Sequence, residues 1–114
     1  MSTRQTSHTK KEDIEFKALR ALDKNPSLSQ RDLSKEIGIS VGAAHYCLMA
    51  LIEKGFVKMH NFNTNPNKLQ YAYLLTPVGF SHKLELTSRF IKRQKAEYER
   101  LRVEIRAIEA EQHG

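Results

Sequence analysis

At 114 residues the chain has room for one hydrophobic core and one appended element, not for two domains. Nineteen Lys and Arg against 13 Asp and Glu give a formal charge of +6, which suits a polyanionic partner and plain solubility equally. A single cysteine excludes an intrachain disulfide, no apolar run reaches the ~20 residues of a membrane span, and residues 1–10 lack the apolar stretch of a secretory signal, so a cytoplasmic protein with no membrane partner is expected.

Residues 1–10 are polar and aperiodic and read as a disordered arm. From Lys11, the positions Ile14, Ala18, Leu19 and Leu22 share one helical face with Phe16 at its edge, and Asn25-Pro26 ends that helix. Ser29 caps a second helix, with Asp32 at the capping-box position, Leu33 and Ile37 turned inward and Gly38 at the left-handed stop. Ser40 caps a third helix, expected over 41–54, with Ala44, Leu48, Leu51 and Ile52 on its apolar stripe and Gly55 ending it. A short helix, a Gly-containing turn and a second capped helix form a helix-turn-helix layout. Residues 56–59 and 69–75 have the β-branched and aromatic content of strands, joined by an Asn- and Pro-rich loop over 60–68. Thr76-Pro77 then starts a helix that continues to about Glu111, with a break possible at Thr87-Ser88.

Along that last helix Leu84, Thr87, Ile91, Gln94, Tyr98, Leu101, Ile105, Ile108 and Gln112 are separated by alternating steps of three and four, a heptad seam. A helix of this length spans roughly 50 Å, too long to bury its seam on a domain formed by residues 11–76. The seam residues Leu84, Ile91, Tyr98, Leu101, Ile105 and Ile108 are therefore expected at a dimer interface, and 77–112 as a dimerisation helix. Lys83, Arg89, Lys92, Arg93 and Lys95 face a single Glu85 nearby, a basic stretch placed to flank a nucleic acid. The expected fold is thus mainly α with a small β-hairpin.

The segment from Leu28 to Ser40, the run from Leu51 to Val57, and Leu75-Thr-Pro-Val-Gly79 together resemble winged helix-turn-helix regulators of the MarR type. The runs 46–58 and 67–77 and the Arg/Glu-rich tail look like the small exopolysaccharide-associated group among them. The resemblance covers residues 12–112 and implies a transcriptional regulator that binds double-stranded DNA. A full-length MarR-type protein dimerises through helices at both ends and holds a ligand between them. One short leading helix and one trailing helix leave little to build such a pocket, so no small-molecule effector is expected.

With Ala44, Leu48, Leu51 and Ile52 facing the core, helical spacing turns Gly42, His45, Tyr46 and Met49 outward. Recognition helices present their N-terminal turns to base edges in the major groove. The candidate base contacts are accordingly Ser40, Gly42, Ala43, His45 and Tyr46, with Gln30, Arg31, Lys58, Asn67 and Lys68 on phosphates or in the minor groove. Competing readings stand beside these: Tyr46 packed under the wing, Arg31 paired with a carboxylate, the Asn-rich tip as plain turn chemistry, and Cys47 as a small core residue. No Arg, Lys, Asn or Gln lies between Ser40 and Glu53, so the commonest bidentate pairings to guanine or adenine are absent. That gap favours a rival reading, a protein-interaction module whose helix recruits a different protein. Neither metal-ligand spacing nor a nucleophile–base pair is present, so no cofactor, metal site or enzymatic activity is expected.

Overall fold

A computed structural model describes residues 3–65 and 68–113, with side chains over 10–61 and 71–113. The elements in chain order are α1 (Thr3–Lys24), α2 (Gln30–Ile37), α3 (Val41–Glu53), β1 (Val57–Asn65), β2 (Lys68–Leu75) and α4 (Pro77–His113). The molecule measures 73 × 25 × 25 Å, a small domain from which one helix projects.

The caps act as the sequence pattern requires. Ser29 Oγ accepts from Asp32 N at 3.1 Å, and Ser40 Oγ accepts from Ala43 N at 3.1 Å. Gly38 takes φ 82°, a left-handed conformation open to glycine without steric penalty, and its N–H donates to Ser34 O to close α2. Between α2 and α3 the chain bends by 105°, within the range of helix-turn-helix motifs.

The core joins Leu19 and Leu22 of α1, Leu33 of α2, Leu48 and Leu51 of α3 and Val57 of β1, all 2 % exposed or less. Each buried leucine contributes about 1.5–3 kcal/mol through the apolar surface it removes from water. Tyr73 closes the core from β2, and its N–H donates to Pro26 O at 2.9 Å, tying the hairpin to the loop after α1. The core does not stop at residue 76. Leu86 of α4 is 2 % exposed, and Phe90 stacks on Phe16 with ring centroids 4.9 Å apart.

Two sequence expectations are corrected, and one open alternative is decided. First, α1 begins at Thr3, so residues 3–10 are helical where a disordered arm was expected, residues 1 and 2 lying outside the described residues; no proline or glycine interrupts that segment. Second, the loop expected over 60–68 is mostly strand. β1 and β2 pair antiparallel from Val57↔Leu75 to Phe62↔Gln70 and again at Asn65↔Lys68, with an irregularity between Phe62 and Asn65. Cross-strand pairing overrides the low strand propensity of asparagine there. Third, α4 runs through Thr87-Ser88 without a break. The Thr87 hydroxyl donates to Lys83 O at 2.7 Å, one turn back, so it satisfies itself within the helix instead of capping a new one.

The start of α4 is locked into a three-way joint. Thr76 Oγ1 donates to Gly55 O at 2.6 Å and accepts from Gly79 N at 3.0 Å, while Thr76 N donates to Phe56 O at 3.1 Å. Gly79 lies so close to the residue preceding β1 that a Cβ there would stand 1.9 Å from Phe56 O. Only glycine permits this approach.

Candidate nucleic-acid interface

Burying Ala44, Leu48 and Leu51 leaves Val41, Gly42, Ala43, His45, Tyr46 and Met49 exposed on the outer side of α3. Tyr46 is 76 % exposed, so it is not packed under the wing. Gly42 has open space about its Cα, and Ala43 presents only a methyl, so this end of the helix allows close approach. Ser40 is exposed at the helix N-terminus. Its oxygen is occupied by the cap to Ala43 N, which leaves the hydroxyl hydrogen free to donate outward. The N-terminal end of α3 also carries the positive pole of the helix dipole, favourable beside phosphate.

Helix α2 contributes its first turn to the same surface. Gln30 Oε1 stands 3.1 Å from His45 Nδ1, so the two helices of the motif are linked by their candidate contact residues. Arg31 is exposed, and its carbonyl accepts from Ser34 Oγ at 2.6 Å. On the wing, Lys58 is exposed and pairs in register with Leu74, and Met59, Tyr71 and Leu74 are exposed around it. Asn67 lies outside the described residues; Lys68 begins β2, and its side chain lies outside them as well.

The basic stretch of α4 is placed differently from its expected role beside a nucleic acid. Lys83 donates to Asp23 at 2.6 Å, Arg89 to Glu12 at 2.9 Å, and Arg93 to Asp13 at 2.5 Å and Glu12 at 3.4 Å. His82 Nε2 lies 2.5 Å from Glu15 Oε1, and its ring stacks on Phe56 at 4.1 Å. Glu12 and Asp13, early on α1, reach Arg89 and Arg93, whereas Glu15 and Asp23 reach His82 and Lys83 nearer the start of α4, so the two helices run broadly antiparallel and these charges close the seam between them. The hydrogen bond to Glu12, and then the Glu85 charge, hold the Arg89 guanidinium above its ordinary pKa. Of the five basic residues, Lys92 and Lys95 take no part in this ladder. The signal in the sequence was the spacing of Glu12, Asp13, Glu15 and Asp23 on α1, legible only once the helix pairing is known.

Sequence reasoning also missed an apolar groove of about 530 Å³ between α1 and α3. Ile14, Ile39, Ala43, Tyr46 and Cys47 line it, and Lys10, Lys11 and Lys54 stand at its rim. Cys47 is half-buried there; desolvation, followed by the nearby Glu15 charge, pushes its thiol up from the ordinary value. A raised pKa suits the packing role expected for Cys47. Among the described residues no three His, Cys, Asp or Glu side chains are grouped to hold a metal ion, and no single helix is long and apolar enough to cross a membrane.

All six seam residues expected at a dimer interface are exposed in the single chain: Leu84 at 72 %, Tyr98 at 60 %, Ile91 at 57 %, and Leu101, Ile105 and Ile108 between 44 % and 54 %. Leu86 and Phe90, which do contact α1, lie on a different face of the helix. Residues 94–113 are exposed throughout.

Residues 11–58 match the family model described as winged helix-turn-helix DNA-binding. No curated protein matches the chain in sequence. Among solved structures, it is similar to a MarR/EmrR-family transcriptional regulator from Acinetobacter sp. ADP1, with a TM-score of 0.63, 22 % identity, and coverage of 75 % of this chain and 58 % of that one. A mutant of MepR from S. aureus gives a TM-score of 0.62 at 17 % identity, covering 76 % of this chain and 64 % of the other. FabT of Streptococcus pneumoniae, solved in complex with DNA, gives 0.54 at 22 % identity, covering 74 % and 57 %. The chain thus spans 57–64 % of the length of these three proteins. It carries a winged helix-turn-helix domain and has the fold of the MarR-family transcriptional regulators.

Proposed function

We propose that the protein is a sequence-specific, double-stranded DNA-binding transcriptional regulator, acting as a homodimer through α4. One observation carries this reading: the capped, solvent-facing N-terminal half of α3, set at 105° to α2 and flanked by an exposed Lys58 on the wing. In the proposed complex α3 enters the major groove. Ser40, Gly42, Ala43, His45 and Tyr46 meet base edges, while Arg31, Lys58, Asn67 and Lys68 hold phosphates or the minor groove. The exposed seam from Leu84 to Ile108 would pair two copies and set the separation of their recognition helices. A cytoplasmic location accords with this role, and no enzymatic chemistry is part of it.

A second reading keeps the winged domain as a scaffold and gives α4 a different protein as partner. The absence of Arg, Lys, Asn and Gln from Ser40 to Glu53 favours it, as does the engagement of Lys83, Arg89 and Arg93 with α1. Gel shifts on random duplex pools at two salt concentrations separate the two. DNA binding releases counterions for each neutralised phosphate and so weakens steeply with salt; no binding at low salt rejects the first reading. His45→Ala should lower sequence preference more than total affinity.

A further inference from the structure

We infer that Gln30 is a positioning residue that fixes the tautomer of His45, making its outward ring nitrogen a hydrogen-bond acceptor that selects amino bases over keto bases. This inference rests on the DNA-binding reading. Its first step can be tested without DNA.

The argument begins with donor and acceptor inventory. The Gln30 side-chain oxygen can only accept a hydrogen bond, and it stands 3.1 Å from His45 Nδ1. With the amide turned this way, the contact is a hydrogen bond when Nδ1 carries the hydrogen and donates it. A neutral imidazole has one N–H, so Nε2 is left with its lone pair. Free imidazole side chains in water interconvert between the two tautomers; Gln30, with its oxygen turned to Nδ1, favours the form protonated there. The bond also joins α2 to α3, so the ring is oriented as well as protonated on a defined side.

His45 is exposed on the outer face of α3, one residue before the exposed Tyr46. An acceptor aimed at the major groove needs a donor there. Adenine N6 and cytosine N4 are donors on the major-groove edge, whereas guanine O6 and N7 and thymine O4 are acceptors that would face the Nε2 lone pair. One position in each half-site should then hold adenine or cytosine on the contacted strand and disfavour guanine and thymine. The discrimination does not come from a bidentate Arg, Asn or Gln, none of which α3 carries. The Gln30 amide NH2 is left free to donate to a phosphate, as the sequence reading expected.

The test has two parts on the full-length protein. Nitrogen-15 spectra of the His45 ring are recorded without DNA at pH 8.5. The native protein should show protonated Nδ1 and bare Nε2; Gln30→Glu, which keeps an acceptor oxygen, should show the same. Gln30→Leu should shift the ring towards protonated Nε2. Base preference is then read by sequencing duplexes enriched from a random pool. The native protein and Gln30→Glu should favour amino over keto bases at one position by on the order of fivefold, the worth of one hydrogen bond. Gln30→Leu should bring that ratio close to one while the rest of the motif persists. Protonated Nε2 in the native ring overturns the inference whatever the DNA result, as does an unchanged ratio in Gln30→Leu. Failure of all variants to bind DNA, with the expected spectra, rejects the regulator reading and the base-selection step with it, leaving only the tautomer lock.

Discussion

Residues 77–93 and 94–113 form one unbroken helix with one heptad seam, yet the two halves are held by different things. The first half buries Leu86, stacks Phe90 on Phe16 and places Lys83, Arg89 and Arg93 on the carboxylates of α1. In the second half, Arg100 pairs only with Glu97 and Glu104 on its own helix, at 2.6 and 3.5 Å, and no residue is buried. Similar charge chemistry thus ties two helices together in one half and merely decorates a single helix in the other. A helix of good propensity needs a packed face to be stable in a protein. The first half finds that face within the chain; the second leaves its own exposed.

Substitutions along α4 should expose this contrast. The largest effect is expected at the joint, where Gly79→Ala drives a methyl into the Phe56 carbonyl and should destabilise the domain by on the order of 4 kcal/mol or prevent folding, as measured by urea denaturation. Leu86→Ala should cost about 3 kcal/mol through the cavity it leaves. Leu101→Ala, on the exposed half, should change the stability of the isolated chain by less than about 0.5 kcal/mol; equal losses at both sites would erase the distinction between the halves. Ile105→Asp should leave the isolated domain folded and reduce the mass seen by light scattering from a dimer to the 13.2 kDa chain, because an unpaired charge in an apolar seam opposes association. A mass unaffected by that change would remove the seam from the interface.

The smallest effect concerns acid. The hydrogen bond from Arg100 lowers the Glu97 carboxyl below its ordinary value. A depressed acid stabilises the helical form above its unfolded pKa of about 4.3 and loses that contribution as pH falls through the lower, folded value. Helicity of the native protein, followed by circular dichroism, should therefore fall slightly below pH 4. In Arg100→Met the Glu97 share of this loss should disappear; identical acid titrations in the two proteins would show that the pair contributes nothing.

Local chemistry explains what the sequence made legible. Ser29, Gly38, Ser40, Gly55 and Thr76-Pro77 act on the backbone within a few residues of themselves, so the limits of α2 and α3 and the start of α4 follow from composition alone. The extension of the wing's strands into 60–68 did not, because pairing across the hairpin outweighs the turn preference of its asparagines. Nor did the engagement of Lys83, Arg89 and Arg93. An ion pair between residues separated by some 60 to 80 positions depends on how two helices cross, which no periodicity encodes. The candidate interface divides the same way: the outward set His45 and Tyr46 comes from helical spacing, whereas the link from Gln30 to His45 required the angle between α2 and α3.

The joint around Thr76 and Gly79 has a consequence for operator geometry. It welds the end of α3, the base of the wing and the root of α4 into one rigid node, with a lever of about 55 Å beyond it. In the proposed homodimer, a tilt of roughly 3.5° at that node shifts the far end by about 3.4 Å, the rise of one base pair. Half-site spacing would then be set by a steric fact at one glycine, and a change too small to disturb either domain's contacts would be enough to move the pair of recognition helices out of step with the groove.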